Sequence, residues 1–233
     1  MKIRHAPLAV ACAVMVAAAA TTTAQAAAVT YYFGGKLDTV PGGPSFAIGD
    51  AFTGSFTFES TSVNLGGQLP SIGNYSDGSS AIEANVNGYF FSSDSTSACV
   101  STCVGIRLFN DTPPAVFGDI FTASNALFGT TDAAVTGPNL DGLSPSTLVF
   151  QLAESSGTVF SSIALPSNLP LSSFDVARFA IRFIDTARSG GSFVASGPVA
   201  YLSTTAPVPE ASTTAMLALG LGALAVVRRR KDR

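Results

Sequence analysis

Residues 51–59 constrain the fold more than any other stretch of this chain. Phe52, Phe56 and Phe58 alternate with Thr53, Ser55, Thr57 and Glu59, with Gly54 between the first two rings. A period of two places the rings on one face and the hydroxyls on the other, the pattern of a strand with one buried side.

The same pattern recurs along residues 27–205. Residues 29–37 form a first strand, after which Pro41-Gly42-Gly43-Pro44 marks a loop. Residues 60–80 are polar, with glycine, proline and asparagine, and read as a long loop. Residues 82–86 and 89–93 flank Asn87-Gly88, the dipeptide that favours a two-residue hairpin turn. Residues 104–109 give another short strand, ended by Pro113-Pro114; residues 116–121 and 126–128 are weaker candidates. Residues 136–145 are rich in turn formers. In residues 147–153, Leu148, Phe150 and Leu152 alternate with Val149 and Gln151, and residues 158–165 are a candidate partner. Residues 174–184 fit either a helix face or a strand face. The strand is preferred, because phenylalanine and isoleucine favour it and its neighbours are strands. Residues 192–202 close the series, bent at Gly197-Pro198. Nine or ten short strands with turns between them predict an all-β domain, an antiparallel β-sandwich of jelly-roll type. No strict internal repeat is present.

The two ends differ from this domain. Lys2, Arg4 and His5 precede an apolar run at 8–20, and Ala24-Gln25-Ala26 supplies small residues for cleavage. Residues 1–26 thus predict a helical secretory signal peptide, cut after Ala26, with Ala28 as the alternative. At the other end, residues 206–233 have three parts. Ala206-Pro207-Val208-Pro209 is a stiff joint, because proline cannot continue a helix. Residues 211–227 carry no charge and predict a short transmembrane helix, roughly 25 Å long at about 1.5 Å per residue. Arg228, Arg229, Arg230 and Lys231 then form a basic stop that favours the cytoplasmic side.

Pro209-Glu210-Ala211, the short apolar helix and the basic end resemble the PEP-CTERM sorting signal, whose third motif position is usually proline. Residues 48–58 also look like an early segment of proteins bearing that tail. The resemblance implies an exported protein of a polysaccharide-producing Gram-negative bacterium. It would be translocated by the Sec machinery, trimmed by signal peptidase and held briefly in the inner membrane. Exosortase would then sort and cleave it at residues 209–211, leaving it at the cell surface or outside the cell. A structural or adhesive role beside extracellular polysaccharide is implied, with a carbohydrate- or calcium-binding module as the alternative.

Composition narrows the chemistry. Residues 27–209 hold five cations and 13 acids, a net charge of −8, so they offer no basic footprint for nucleic acid. The chain's one histidine, His5, lies in the signal peptide, and there is no tryptophan. A Ser-His-Asp or Cys-His arrangement and a histidine-ligated zinc therefore cannot be built in the exported part. We expect no enzyme and no cofactor. Cys99 and Cys103 remain after Cys12 leaves with the signal peptide. In an oxidising compartment they predict a disulfide, with free thiols or a redox pair as alternatives. Asp77, Asp111, Asp119 and Asp141 are candidate calcium ligands, though aspartates at such places more often organise turns. Glu59, Glu83 and Glu154 are the glutamates from which a glycosidase pair would be drawn. Tyr75 and Tyr89 are candidate sugar-stacking rings, or simple packing.

Overall fold

The computed structural model describes residues 27–42, 45–66, 69–76, 78–94, 104–111, 118–126, 134–185 and 192–207. The signal peptide, Cys99 and Cys103, Asp77, Pro209-Glu210-Ala211, the span 211–227 and the basic stop lie outside them. Among the described residues no helix is long and apolar enough to cross a membrane.

Ten strands form: β1 (Ala28–Lys36), β2 (Ala51–Glu59), β3 (Ile72–Ser76), β4 (Ala81–Val86), β5 (Tyr89–Asp94), β6 (Gly105–Phe109), β7 (Asp119–Ser124), β8 (Leu143–Glu154), β9 (Val176–Asp185) and β10 (Ser192–Ser203). Among the described residues a 3-10 turn, Leu171–Ser173, lies between β8 and β9. Every strand pairing is antiparallel, and the order is β3-β6-β7-β8-β9-β10-β1-β2-β4-β5. The all-β, antiparallel expectation thus holds. Its finer form, separate sheets in a jelly-roll sandwich, does not describe this hydrogen bonding, which runs unbroken through one curled sheet.

The reason lies in β10. Residues 192–198 pair with β9, whereas residues 199–203 pair with β1. The hand-over falls at Gly197-Pro198, where proline has no N–H to give to a ladder. A side chain on Gly197 would meet the carbonyl of Lys36, and one on Gly35 would meet that of Pro198. Two glycines therefore let the strands cross closely enough for one strand to serve both halves of the sheet.

The curl brings the two apolar faces together. Tyr31 and Phe33 of β1 and Phe52, Phe56 and Phe58 of β2 are buried, as are Phe121, Phe150, Phe179 and Phe183 of the other half. Rings meet across the interior: Phe33 and Phe150 at 4.9 Å, Phe56 and Phe150 at 4.8 Å, Phe52 and Phe179 at 5.2 Å. Tilted pairs at such separations add to area burial. The ring of Phe33 needs room beside its cross-strand partner Gly54, whose missing side chain would otherwise strike it.

Both outer strands are covered. Ser92 of β5 exchanges backbone hydrogen bonds with Thr136 at 2.9 and 2.7 Å, and Leu65 N–H donates to Asn74 of β3 at 2.7 Å. Such cover blunts strand edges that would pair with other chains. The structure also corrects two expectations. β3 lies inside the supposed loop 60–80, where Gly73 and Asn74 dilute the strand signal. Residues 158–165 form no strand: the amides of Thr158, Val159 and Phe160 go to the carboxylates of Glu154 and Asp119 instead of to a neighbouring strand.

Candidate functional site

The route by which the chain leaves the domain is set by β10. Val199 points inward and Tyr201 outward, as alternation requires. After Ser203 the chain turns, with Thr205 N–H donating to Ser203 Oγ at 3.0 Å. Pro207 then lines a groove of about 180 Å³ on the outer face of β10, β1, β2, β4 and β5.

Register builds this groove. Tyr201, Gly34, Thr53, Asn85 and Phe90 are successive cross-strand neighbours, and Tyr32, Ser55 and Glu83 form the next row. Gly34 has no side chain, so the ring of Tyr201 occupies the space above it. Phe90 is 51% exposed and Tyr201 37%. Ser55 Oγ donates to Glu83 Oε1 at 2.8 Å, which fixes the carboxylate along the groove wall. The result is an apolar trough with three aromatic rings and a short polar wall.

The acidic candidates do other work. Asp119 is fully buried. Its Oδ2 accepts the N–H groups of Val159 at 2.8 Å and Phe160 at 2.7 Å, and its Oδ1 accepts that of Asp111 at 3.3 Å. Glu154, its cross-strand neighbour, accepts from Ser156 N–H at 2.6 Å, Gly157 N–H at 2.8 Å and Thr158 N–H at 3.2 Å. These bonds, led by those from Ser156, hold the Glu154 carboxyl below the usual carboxylate range. Each carboxylate thus spends three of its roughly four lone-pair sites on amide donors, which makes it a loop anchor. Asp111 and Asp141 adopt left-handed backbone at φ of 51° and 55°, and Asp141 Oδ2 accepts Ser45 N–H at 3.1 Å, so both are turn residues. Among the described residues no group of three or more histidine, cysteine or acidic side chains is placed to hold a metal.

The glutamates are not brought together either. Glu83 pairs in register with Ser55, and Glu59 lies four residues further along β2. At about 3.3 Å per residue that is roughly 13 Å, beyond the ~5–9.5 Å of paired glycosidase carboxylates. Tyr75 is buried and its hydroxyl donates to the carbonyl of Ile163. Tyr89 packs edge-on against Phe46 at 5.9 Å. Both are packing residues. The rings that line the groove are instead the half-buried Tyr32 and the exposed Phe90 and Tyr201. Their sequence signal is an aromatic at the outward position of an alternating strand, beside an inward one, as in Tyr31-Tyr32 and Phe90-Phe91.

After Pro207 the sequence continues with the rest of the proline joint, an apolar run and a basic end. Residues 207–231 match the family model described as the PEP-CTERM protein-sorting motif. The motif indicates export and sorting toward the cell surface, and it implies exosortase as the processing partner. No curated protein and no solved structure matches the chain.

Proposed function

We propose that the chain is a sorting substrate: an exported β-domain delivered to the cell surface by its tail and cut by exosortase at or near Pro209-Glu210-Ala211. The observation that carries this reading is the match over residues 207–231, joined within four residues to the end of β10 at Ser203. In this reading residues 1–26 direct Sec export and are removed by signal peptidase. Residues 211–227 then hold the intermediate in the inner membrane, with 228–233 on the cytoplasmic side. The prolines at 207 and 209 disfavour helix in the joint, and an extended segment is the form in which proteases bind their substrates.

The delivered domain, residues 27–205, acts as a structural or adhesive component of an extracellular polysaccharide matrix and is not an enzyme. Support comes from its construction: a rigid aromatic core, covered edges and acidic side chains spent on loops. Against the calcium-module alternative, Asp119 and Asp141 accept backbone amides, and against the carbohydrate module, Tyr75 and Tyr89 are packed.

The test is the C-terminal mass of the mature protein from its native cells. A terminus near residue 209 is expected. An intact terminus at Arg233 would sink the cleavage claim and leave a membrane-anchored surface protein.

A further inference from the structure

We propose that the outer groove is the seat of the proline joint, residues 206–211, so that the folded domain holds its own sorting motif. Pro207 already lines the groove together with Tyr32, Tyr201 and Phe90. The chain therefore enters the trough two residues before Pro209.

Chemistry and length both fit that occupant. A proline-rich segment is stiff before it binds, so docking it on aromatic rings costs little conformational entropy. Ala206, Pro207, Val208, Pro209 and Ala211 are apolar, and Glu210 is the segment's single charge. The trough spans β1, β2, β4 and β5, three strand spacings, which is about 14 Å at ~4.8 Å each. Residues 208–211 in an extended proline-type conformation cover about 12 Å at ~3.1 Å per residue. The segment is thus long enough to run from Pro207 toward Phe90 and no longer. Asn85 stands in the same row as Phe90, and its side-chain amide offers a donor to a passing carbonyl.

Weak contacts suffice because the segment is tethered. A short linker gives an effective concentration on the order of 1 mM, so an intrinsic Kd of about 0.1 mM leaves roughly nine-tenths of chains seated. Proteolysis that requires the open form is then slowed about 10-fold. Sorting would use the minor, unseated population, and the groove would set how fast the motif is offered.

This inference takes from the sorting reading only the identity of the motif, and its test contains no exosortase. The full chain in detergent micelles is digested with a glutamate-specific protease, and the cut at Glu210 is timed by mass. Phe90→Ser is expected to raise that rate about 10-fold; its ring is exposed, so the fold should survive, and an unchanged melting temperature checks this. In a second arm, residues 206–211 are replaced by a glycine-serine linker of equal length. A synthetic peptide of residues 206–212 should bind that variant and not the wild type, whose groove is filled. Equal cutting rates in wild type and Phe90→Ser, with the fold intact, would overturn the proposal. So would binding of a neutral glucose tetramer to wild type with no change in the cut at Glu210, which would make the groove a sugar site. An uncut native C-terminus would overturn the sorting reading while leaving the seat standing.

Discussion

In the half of the sheet built on β1, β2, β4 and β5, the closing hairpin reverses direction in two residues. Asn87 and Gly88 sit at φ of 51° and 87°, and Gly88 N–H donates to Asn85 Oδ1 at 3.0 Å. In the half built on β6 to β9, residues 155–175 leave β8 and wander before β9 begins. Their path is set by three carboxylates: Asp119, Glu154, and Asp175, whose Oδ2 accepts Ser155 N–H at 2.8 Å. These bonds carry Phe160 and Leu169 back into the core. One half is therefore closed by local backbone preference, the other by carboxylates, Asp119 and Glu154 buried and Asp175 exposed, acting across up to 41 residues of chain. A turn fixed locally survives distant change. A loop fixed by a carboxylate depends on the strand that presents it.

The comparison presumes that both halves share one core, and Phe150 is where that presumption breaks first. Its ring touches Phe33 and Phe56 of the opposite half. Phe150→Ala should cost about 3–5 kcal/mol in denaturant unfolding, in a single transition for both halves. Two transitions would mean that the halves fold separately. Next comes Asp119→Ala, which leaves the amides of Val159 and Phe160 buried without an acceptor. The loss should be about 2–4 kcal/mol, with new proteolytic cuts within residues 155–170 and none in the 81–94 hairpin. A mutant that loosens the hairpin equally would erase the distinction between the halves.

Glu154 sharpens the same point through pH. Its carboxyl titrates below the ordinary value of 4.5 in the folded chain. The folded state therefore binds a proton less readily than the unfolded state. Its contribution is fully present above about pH 4.5 and disappears as the pH falls through the lowered folded value. Glu154→Gln should flatten that part of the acid limb of the melting temperature. For the locally fixed half, Gly88→Ala places a side chain at positive φ and should cost only about 1 kcal/mol, read by the same denaturation.

These differences also explain what could be read from the residues. β2 appears with the bounds that the Phe52–Phe56–Phe58 alternation predicts, and the β4–β5 hairpin follows from Asn87-Gly88, because both signals are local. β9 was separable from a helix through Phe179, Ile181 and Phe183, which all point inward. β3 was hidden, since Gly73 lies where a bulky residue would collide with the carbonyl of Ile163. The role of Asp119 had no local sign at all, whereas Glu154 accepts amides only two to four residues further on. An aspartate that accepts amides 40 residues away looks, in sequence, like an aspartate waiting for a cation. The sorting tail was legible for the opposite reason: its chemistry is written in contiguous residues that a membrane and a protease read in order. The groove needed register, because Tyr32, Phe90 and Tyr201 become neighbours only when β10, β1, β2, β4 and β5 are aligned.

The smallest expected effect lies where the halves join. Asp38, just beyond β1, accepts two hydrogen bonds from Arg178 of β9, at 2.9 and 2.6 Å, and Arg178 also donates to Ser196 Oγ of β10 at 3.0 Å. The guanidinium holds the Asp38 carboxyl below its ordinary value. Geometrically this is a clasp over the strand that both halves share. Yet the two side chains are 39% and 45% exposed, and water competes for both charges. A double-mutant cycle with Asp38→Asn and Arg178→Gln should therefore return less than about 1 kcal/mol, shrinking further in 1 M salt. The sign follows the carboxylate: the coupling is present above about pH 3.8 and fades as acid protonates Asp38. A coupling of several kcal/mol, insensitive to salt, would make the clasp a fastening between the halves. The continuous hydrogen bonding of β10 and the interlocked rings beneath it make that fastening unnecessary, which is why the small value is expected.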